Sequence, residues 1–498
     1  MKKLNILFLS VFVLTLSIIS NAQTFDGYAL YNDGGENNAY LIDKNGSIVH
    51  TWNCAETANY ATLLKDNGNI IRGAEINNNT FMAPTTAGLI QELDANANVV
   101  WEYTYYGANT HISHHDITLM PNGNVLLTAY EVKSVAELSA AGFTQGWFST
   151  EMWPTHFVEV AQNGTVGQIV WEWHMWDHMI QDTDAGKPNY GVVANNPQLM
   201  DINVDVGFGF GGGDWFHANG VDYNPTLDQI VFTARYTSEL YIIDHSTTSA
   251  EAATHTGGNA GMGGDFLYRW GNPSNYGSTA ARTIPAAVHD PRWIKAGRPD
   301  AGYIEFFNNE GQANGNSAID AINPPLSGFN YTSNGPTTYD WRHNCITSAS
   351  GQSSHDRMTN GNTFVNVSGG YMYEVNSTGT MVWQYSAGPY KAFRYECDHP
   401  GISALLGSDA CGLATGIDDA SDDNRLAVFP NPSTGKFTVI EGNSKTKLIS
   451  VIDMYGKKVE NINNSNIIDL SSHDSGIYLL NITKDNGETY MKKVSLVK

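Results

Sequence analysis

The sequence predicts an all-β protein, with a β-propeller of about six blades followed by a small β-sandwich. Two kinds of hairpin alternate along the chain, and its last residues contain several short apolar segments of strand character. The 498 residues include 49 Gly, 11% aromatic residues and only 15% charged residues. This composition is typical of a turn-rich all-β protein with a large core.

The first kind of hairpin is built around Asn-Gly. Each copy has a short strand, an Asn-Gly turn and a second apolar strand; the copies are residues 61–71, 114–127 and 355–364. Asn-Gly supplies the positive φ angles of a type I′ turn, so each copy predicts a β-hairpin.

The second kind of hairpin closes on an aromatic residue. Its copies are residues 41–52, 92–103 and 374–385, with a fourth copy of longer turn at 158–173. Two hairpins together make a four-stranded antiparallel sheet. A spacing of roughly 45 to 80 residues between units matches propeller blades with insertions.

The two ends of the chain differ from its body. Lys2 and Lys3, an apolar run from Leu4 to Ile19 and a small-residue site at Ala22 predict a signal peptide over residues 1–22. A membrane anchor is the weaker interpretation because the run is short for a span. The rest of the sequence contains no other long apolar stretch, so no integral membrane span is expected in the mature chain.

The expected propeller covers residues 23–415, an acidic linker 416–424, and the sandwich 425–498. Residues 418–424 of the linker are polar and acidic and have no large apolar side chain that could be buried in a core. The sandwich region carries ten Lys or Arg against seven Asp or Glu, whereas the whole chain has a net charge of −23. The body is therefore strongly acidic, which argues against binding to nucleic acid.

An exported chain meets an oxidising compartment, so its four cysteines are expected to pair. Three pairings are possible, and we favour Cys54–Cys345 with Cys397–Cys411. Cys54 lies 14 residues before Gly68 and Cys345 lies 16 before Gly361. These similar offsets predict similar heights on neighbouring blades of a closed ring.

Histidines recur near the start of the inner strands. They are His114 and His115 in one unit, and His217, His289 and His355 in three others. Inner strands line the axis of a propeller, so these side chains are expected to converge at one end of the channel. Converging imidazoles suit either zinc or copper binding or the transfer of an anionic group through a histidine nucleophile.

A tryptophan-rich segment at residues 171–178 also carries His174 and His178 at i, i+4 spacing. A metal or cofactor site is one interpretation. We favour an edge strand that runs into a short aromatic-packed segment. If this segment rims the pocket, its tryptophans are placed to stack on an aryl ring.

From about residue 28 to 401 the chain resembles the bacterial arylsulfate sulfotransferases. The motifs that carry this resemblance are His114-His115-Asp116 with the following Pro-Asn-Gly-Asn, residues 170–178, 213–219, 241–248 and 268–273, His289-Asp290, and residues 306–309 and 393–395. The tail resembles the C-terminal sorting domain of the type IX secretion system, at residues 428–435, 451–457, 470–480 and 492–494. An ordinary carbohydrate-binding sandwich is the alternative for the tail.

The resemblance implies a six-bladed propeller that transfers a sulfuryl group from a phenolic sulfate ester to a phenol through a sulfohistidine. It implies no nucleotide donor, no cofactor and no metal. The tail implies the type IX secretion machinery as a partner, and a secreted or cell-surface protein. Two alternatives remain: a non-catalytic propeller that binds sulfated glycans or phenolics, and a metalloenzyme that uses the histidine ring.

The resemblance also suggests roles for individual residues. His355 is the preferred nucleophile, with His343 second, and His217 and His289 match histidines that contact the sulfate or assist the leaving group. Family members often carry an Arg after Phe-Asn-Asn-Gly, whereas none lies near Asn309 here, so Arg357 is expected to supply the cation. The expected substrate-binding residues are His114, His115, Trp215, Asn219 and Arg292, together with His343.

Overall fold

The structure is a computed structural model that describes residues 24–77, 80–145, 151–206, 213–407, 410–411, 427–440, 445–454, 456–487 and 489–498. The chain forms two compact units, residues 1–405 and 406–498. The predicted signal peptide and acidic linker lie outside the described residues. Within these ranges, no helix has the length and apolar character needed to cross a membrane.

The described part of the first unit contains six antiparallel sheets of four or five strands, each of which we call a blade. Blade 1 consists of Gly27–Asn32, Ala39–Ile42, Ile48–Trp52 and Lys391–Glu396. Blade 2 consists of Ala58–Leu64, Ile70–Glu75, Gly88–Leu93 and Val99–Thr104. Blade 3 consists of His111–Leu119, Val125–Glu131, Thr155–Asn163 and Val166–His174, with Tyr106–Gly107 as a fifth strand.

The remaining blades follow in chain order. Blade 4 consists of Ala218–Asn224, Gln229–Ala234, Glu239–Asp244 and Tyr268–Trp270. Blade 5 consists of Val288–Trp293, Ile304–Asn308, Ala318–Ile322 and Trp341–Asn344. Blade 6 consists of Ser354–Arg357, Thr363–Asn366, Met372–Val375 and Met381–Tyr385.

Short elements connect the blades. Three two-stranded sheets pair Lys133–Ser134 with Glu151–Met152, Met179–Ile180 with Met200–Asp201, and Leu326–Ser327 with Asn330–Tyr331. The α-helices are Val135–Ala140, Ser249–Ala252 and Pro400–Leu406, and the 3₁₀ turns are Met175–His178, Val193–Asn195 and Pro273–Tyr276.

The innermost strands form a closed ring. The first strands of blades 2 to 6 contact one another in order, and Lys391–Glu396 of blade 1 contacts the strands of both blade 2 and blade 6. Lys391–Glu396 pairs antiparallel with Gly27–Asn32, so the two ends of this unit meet in one sheet. This pairing leaves no open sheet edge at the join. The predicted all-β, propeller-like fold is confirmed.

The Asn-Gly turns differ from the predicted type I′ form. Gly68, Gly123 and Gly361 have φ angles of 85°, 86° and 84°, whereas the Asn before each of them is not among the described residues with positive φ. Gly68 N donates to Lys65 O, and Lys65 N donates to Asn69 O. Each Asn side chain instead accepts from the backbone N–H two residues later, as in an Asx turn. A type I turn followed by a left-handed Gly fits these contacts.

The predicted Cys54–Cys345 disulfide is wrong. Both residues are buried free thiols, whereas Cys397 and Cys411 are disulfide-bonded. Cys54 follows the outer strand of blade 1 and Cys345 follows that of blade 5, so blade 6 lies between them in the ring. A disulfide needs Cα atoms within about 7 Å, which this separation prevents.

The second unit consists of two antiparallel sheets. One contains Ala427–Phe429, Lys436–Ile440 and Ile467–Asp469; the other contains Thr446–Asp453, Lys458–Asn463, Gly476–Lys484 and Thr489–Leu496. Alternate residues of Gly476–Lys484 are buried, which is the pattern of a strand with one face on a core. These side chains pack with Phe437, Val439, Ile449 and Val451, as expected for the predicted sandwich.

Candidate functional site

A cavity of about 580 Å³ lies at one end of the inner strands, and we call it the histidine cavity. Several residues in its wall lie just before an inner strand or at its start, on blades 1, 4, 5 and 6. The wall consists of Asp33, Gly34, Pro84, Thr85, His115, His217, Arg235, His289, residues 348–352, Ser368, Gly369 and residues 388–390.

His217 is held by a buried carboxylate. It directly precedes the inner strand of blade 4 and has a φ of 58°. Its Nδ1 lies 2.6 Å from Asp214 Oδ2, and the hydroxyl of Tyr130 donates to Asp214 Oδ1 at 3.1 Å. Because a carboxylate accepts here, Nδ1 carries a proton, and Nε2 is the nitrogen that can exchange a proton with a substrate.

His289 is oriented by neutral acceptors. Its Nδ1 donates to Ala287 O at 2.9 Å and to Asn309 Oδ1 at 2.7 Å. Asn309 is itself fixed, because its Nδ2 donates to Ala349 O and Gln352 O at 3.0 and 3.2 Å. Burial, followed by the nearby Arg235 cation, lowers the pKa of His289 to about 3. The ring is therefore neutral in the physiological range, with its lone pair on Nε2.

His115 completes a group of three imidazoles in the wall. Its ring centroid is 4.7 Å from that of His217, and the two rings meet nearly edge to face. Its Nδ1 is 2.8 Å from His114 Nδ1. His114 lies behind the wall, stacked on Tyr130 at 3.6 Å. Burial lowers the pKa values of both His114 and His115 far below that of a free imidazole.

Arg235 brings a positive charge to the histidine cavity. It follows the second strand of blade 4, and its backbone N–H donates to His217 O at 3.0 Å. Its Nη1 donates to Ser350 O at 2.6 Å. Arg235 was not among the site residues expected from the sequence. The available signal was a basic residue immediately after the apolar strand that pairs with the His217 strand.

His355 does not reach the cavity. Its ring is fully buried, with Nδ1 3.0 Å from Glu305 Oε2 and Nε2 2.8 Å from Asp290 O. The latter contact is a donation to a carbonyl, so neither ring nitrogen faces a substrate in the histidine cavity. This position does not fit the predicted role of nucleophile.

Arg357 is likewise engaged in the interior. Its guanidinium donates to Glu305 Oε1 and Asp300 Oδ2, each at 2.7 Å. It is not part of the cavity wall, so the structure does not place it as the predicted cation. Arg235 occupies that position instead.

A buried charge cluster lies among the strands that form the ring. We apply this name to Asp116, Asp290, Glu305, His355, Arg357 and Lys391, which are all buried. Lys391 Nζ lies 2.5 Å from Asp116 Oδ2 and 2.8 Å from Asp290 Oδ1. Burial opposes ionisation of Asp290, but Arg292, Lys391 and His355 lower its pKa below the usual value. The cluster ties the inner strands of blades 1, 3, 5 and 6 together.

The other expected substrate-binding residues lie outside the cavity wall. Trp215 is in the hydrophobic core, and His343 Nε2 is 3.0 Å from the Tyr373 hydroxyl. Asn219 is buried and donates to Val288 O at 2.8 Å, which links the inner strands of blades 4 and 5. Arg292 lines a different cavity. Of the ten residues expected from the sequence, the structure brings His115, His217 and His289 to this site.

Two family models match the chain. Residues 14–388 match Arylsulfotransferase (ASST), and residues 427–497 match the secretion system C-terminal sorting domain. The tail is therefore a sorting domain, and the protein is exported to the cell surface or secreted. No curated protein matches the chain significantly.

Several solved structures are similar at low identity. A protein of unknown function from Bacteroides caccae is 11% identical with a TM-score of 0.40, covering 72% of this chain and 94% of its own. The Cps50 (Swd1) β-propeller domain of Myceliophteria thermophila is 7% identical with a TM-score of 0.37, covering 73% and 86%. A putative 6-phosphogluconolactonase from Bacteroides fragilis is 10% identical with a TM-score of 0.38, covering 76% and 99%.

Proposed function

Because this chain belongs to the arylsulfotransferase (ASST) family, we propose that it transfers a sulfuryl group from a phenolic sulfate ester to a phenol through a sulfohistidine, without a nucleotide donor. One observation supports this most. Two imidazoles with fixed Nδ1 positions and one guanidinium, from His217, His289 and Arg235, line the same cavity.

His289 is a better nucleophile than His217. Its Nδ1 is already used as a donor, and its low pKa keeps the Nε2 lone pair available. In the first half-reaction, Nε2 attacks sulfur, the N–S bond forms, and the bond from sulfur to the phenolic oxygen breaks. The leaving oxygen takes a proton from the His217 imidazolium.

His217 fits the role of general acid because Asp214 lies 2.6 Å from its Nδ1. A buried carboxylate stabilises the imidazolium that forms when this ring accepts a proton. In the second half-reaction, neutral His217 takes the proton of the acceptor phenol. The phenolic oxygen then attacks sulfur and releases His289, so protons and charges balance over the cycle.

Arg235 fits the stabilisation of the moving group. Sulfuryl transfer spreads negative charge over three oxygens, and a fixed guanidinium stabilises that charge. Its Nη1 is held against Ser350 O, in the loop 348–352 that forms part of the wall. The same cation disfavours binding of a metal cation by the cavity histidines, so the metalloenzyme interpretation is the weaker one.

The test uses the purified mature protein with a chromogenic aryl sulfate and a phenol acceptor. Phenol release that depends on the acceptor, together with a gain of one SO₃ group in the intact mass after donor alone, is expected. Peptide mapping should locate that group on His289. Donor binding without turnover would replace this proposal with a non-catalytic binder, and activity abolished by a chelator would favour the metalloenzyme.

A further inference from the structure

A second histidine cluster lies at the outer edge of blade 3, away from the proposed reaction. His156 and His174 are directly opposite each other on the third and outer strands of the blade. Their rings stack with centroids 3.9 Å apart. Glu172 lies two residues before His174, so both side chains project from the same face of the outer strand.

The ligand atoms of this cluster converge. One ring nitrogen from each histidine and a carboxylate oxygen of Glu172 all lie within 4.8 Å of one another. His156 Nε2 is 3.5 Å from Glu172 Oε1, and His174 Nδ1 is 3.3 Å from Glu131 Oε2. Glu131 thus supplies a second carboxylate on the adjoining strand of the same blade.

Two buried atoms of the cluster have no hydrogen-bond partner among the residues that the structure describes. His156 is 3% exposed, and among the described residues its Nε2 has no hydrogen-bond partner. Its other nitrogen, Nδ1, is 3.1 Å from the Tyr105 hydroxyl, so the ring is oriented with Nε2 towards Glu172. Oε1 of Glu131 is also buried without a partner in the described part of the chain. Orphaned buried polar atoms cost about 1–3 kcal/mol each, so they need an explanation.

We propose that His156, His174 and Glu172, supported by Glu131, form a zinc site at the edge of blade 3. Two imidazoles and one carboxylate are a common zinc ligand set, and a water or Glu131 completes four-coordination. Rotation of the partly exposed Glu172 and His174 side chains brings their atoms to the ligand separations that zinc requires.

The neighbouring cluster of His178, His255 and Asp265 provides a matched comparison. It also has three residues whose ligand atoms lie within 4.8 Å of one another. However, both nitrogens of His178 are satisfied, by Asp265 Oδ1 and Ala252 O at 2.8 Å each. This cluster therefore has no orphaned imidazole nitrogen on its buried member, and we expect it to bind zinc weakly.

The experiment uses the full mature protein without a histidine tag, stripped of metal and titrated with zinc chloride against a chromogenic chelator. The wild type should bind one zinc tightly. His156→Ala should abolish this binding, and Glu172→Gln should weaken it at least about tenfold. His255→Ala and His217→Asn should each retain it.

Thermal unfolding provides the second measurement. Zinc should raise the Tm of the wild type and of His255→Ala by mass action, and at the same zinc concentration it should raise that of Glu172→Gln by less. Glu172 is partly exposed, so its replacement leaves the fold intact and keeps this comparison valid. Absence of tight zinc binding in the wild type, or binding that is lost in His255→Ala and kept in His156→Ala, would overturn the proposal.

Discussion

His289 and His355 make an instructive comparison, because both occupy the second position of an inner strand. His289 lies in the wall of the histidine cavity, whereas His355 is fully buried between Glu305 and Asp290. In His289 only Nδ1 makes the hydrogen bonds that orient the ring, whereas in His355 both ring nitrogens contact buried partners of the fold. Equal position along a repeat therefore does not give equal access to the channel.

The backbone explains the difference. In blade 5, positive φ angles occur on both sides of the histidine, at Ala287 and Asp290, and a register shift follows it, between His289 and Arg292. In blade 6 the positive-φ residues, Gln352 and Ser353, precede it. Side chains alternate faces along a strand, so the additional irregularity after His289, which is absent after His355, changes the direction of the ring relative to the rest of the strand.

The largest expected effect comes from removing either imidazole that is proposed to react, His289 or His217. His289→Asn and His217→Asn should each lower kcat at least about 10³-fold, because nucleophile and general acid are both lost as chemical groups. Turnover of the chromogenic sulfate measures this. The exposed His255→Asn is the control and should keep wild-type kcat. Full activity in His289→Asn would contradict the catalytic role that distinguishes His289 from His355.

The next effect concerns stability rather than turnover. His355→Gln should lower the free energy of unfolding by about 3 kcal/mol, because a buried charged network loses one partner. Denaturant unfolding measures the loss, and activity is compared below the transition where the variant is folded. If the folded variant is inactive while His289→Asn remains active, His355 is the nucleophile after all.

Arg235→Gln should lower kcat/KM about 100-fold, as the loss of one preorganised charge-stabilising donor does in other enzymes. Arg235→Lys should recover part of this loss because it retains the charge but not the planar fork. Steady-state kinetics with one donor and one acceptor measure both. Equal activity of Arg235→Gln and the wild type would leave the cavity without its proposed cation.

The smallest effect is a titration that leaves the fold unchanged. Because its pKa is about 3, the His289 ring should remain neutral at pH 5, where a free imidazole is protonated. In the unfolded chain the His289 imidazole is protonated below about pH 6.5, whereas in the folded protein it stays neutral down to about pH 3. His289 therefore lowers the free energy of unfolding as pH falls from about 6.5 towards 3. NMR of labelled histidine measures the protonation state, and a protonated His289 at pH 5 would contradict the burial argument.

Local sequence determined much of the architecture. Alternating apolar residues, turn residues and aromatic closures specify strands wherever they occur, so the repeated hairpins and the separate tail were predictable. The same repeats place histidines near the start of several inner strands, which predicted that these side chains converge at one end of the channel. Three of them, His115, His217 and His289, do reach one cavity.

Tertiary structure decided what local sequence leaves open. Lys391–Glu396 completes a sheet with Gly27–Asn32 more than 350 residues away, and this closure sets which blades are neighbours and so prevents the Cys54–Cys345 bond. Non-Gly residues such as His115 and His217 adopt positive φ only because the surrounding fold holds them there. Which imidazole faces substrate, and that Arg235 accompanies it, depends on these nonlocal constraints. The sequence determined the strands and the reactive side chains on them, and the closed ring decided which of those side chains face the histidine cavity.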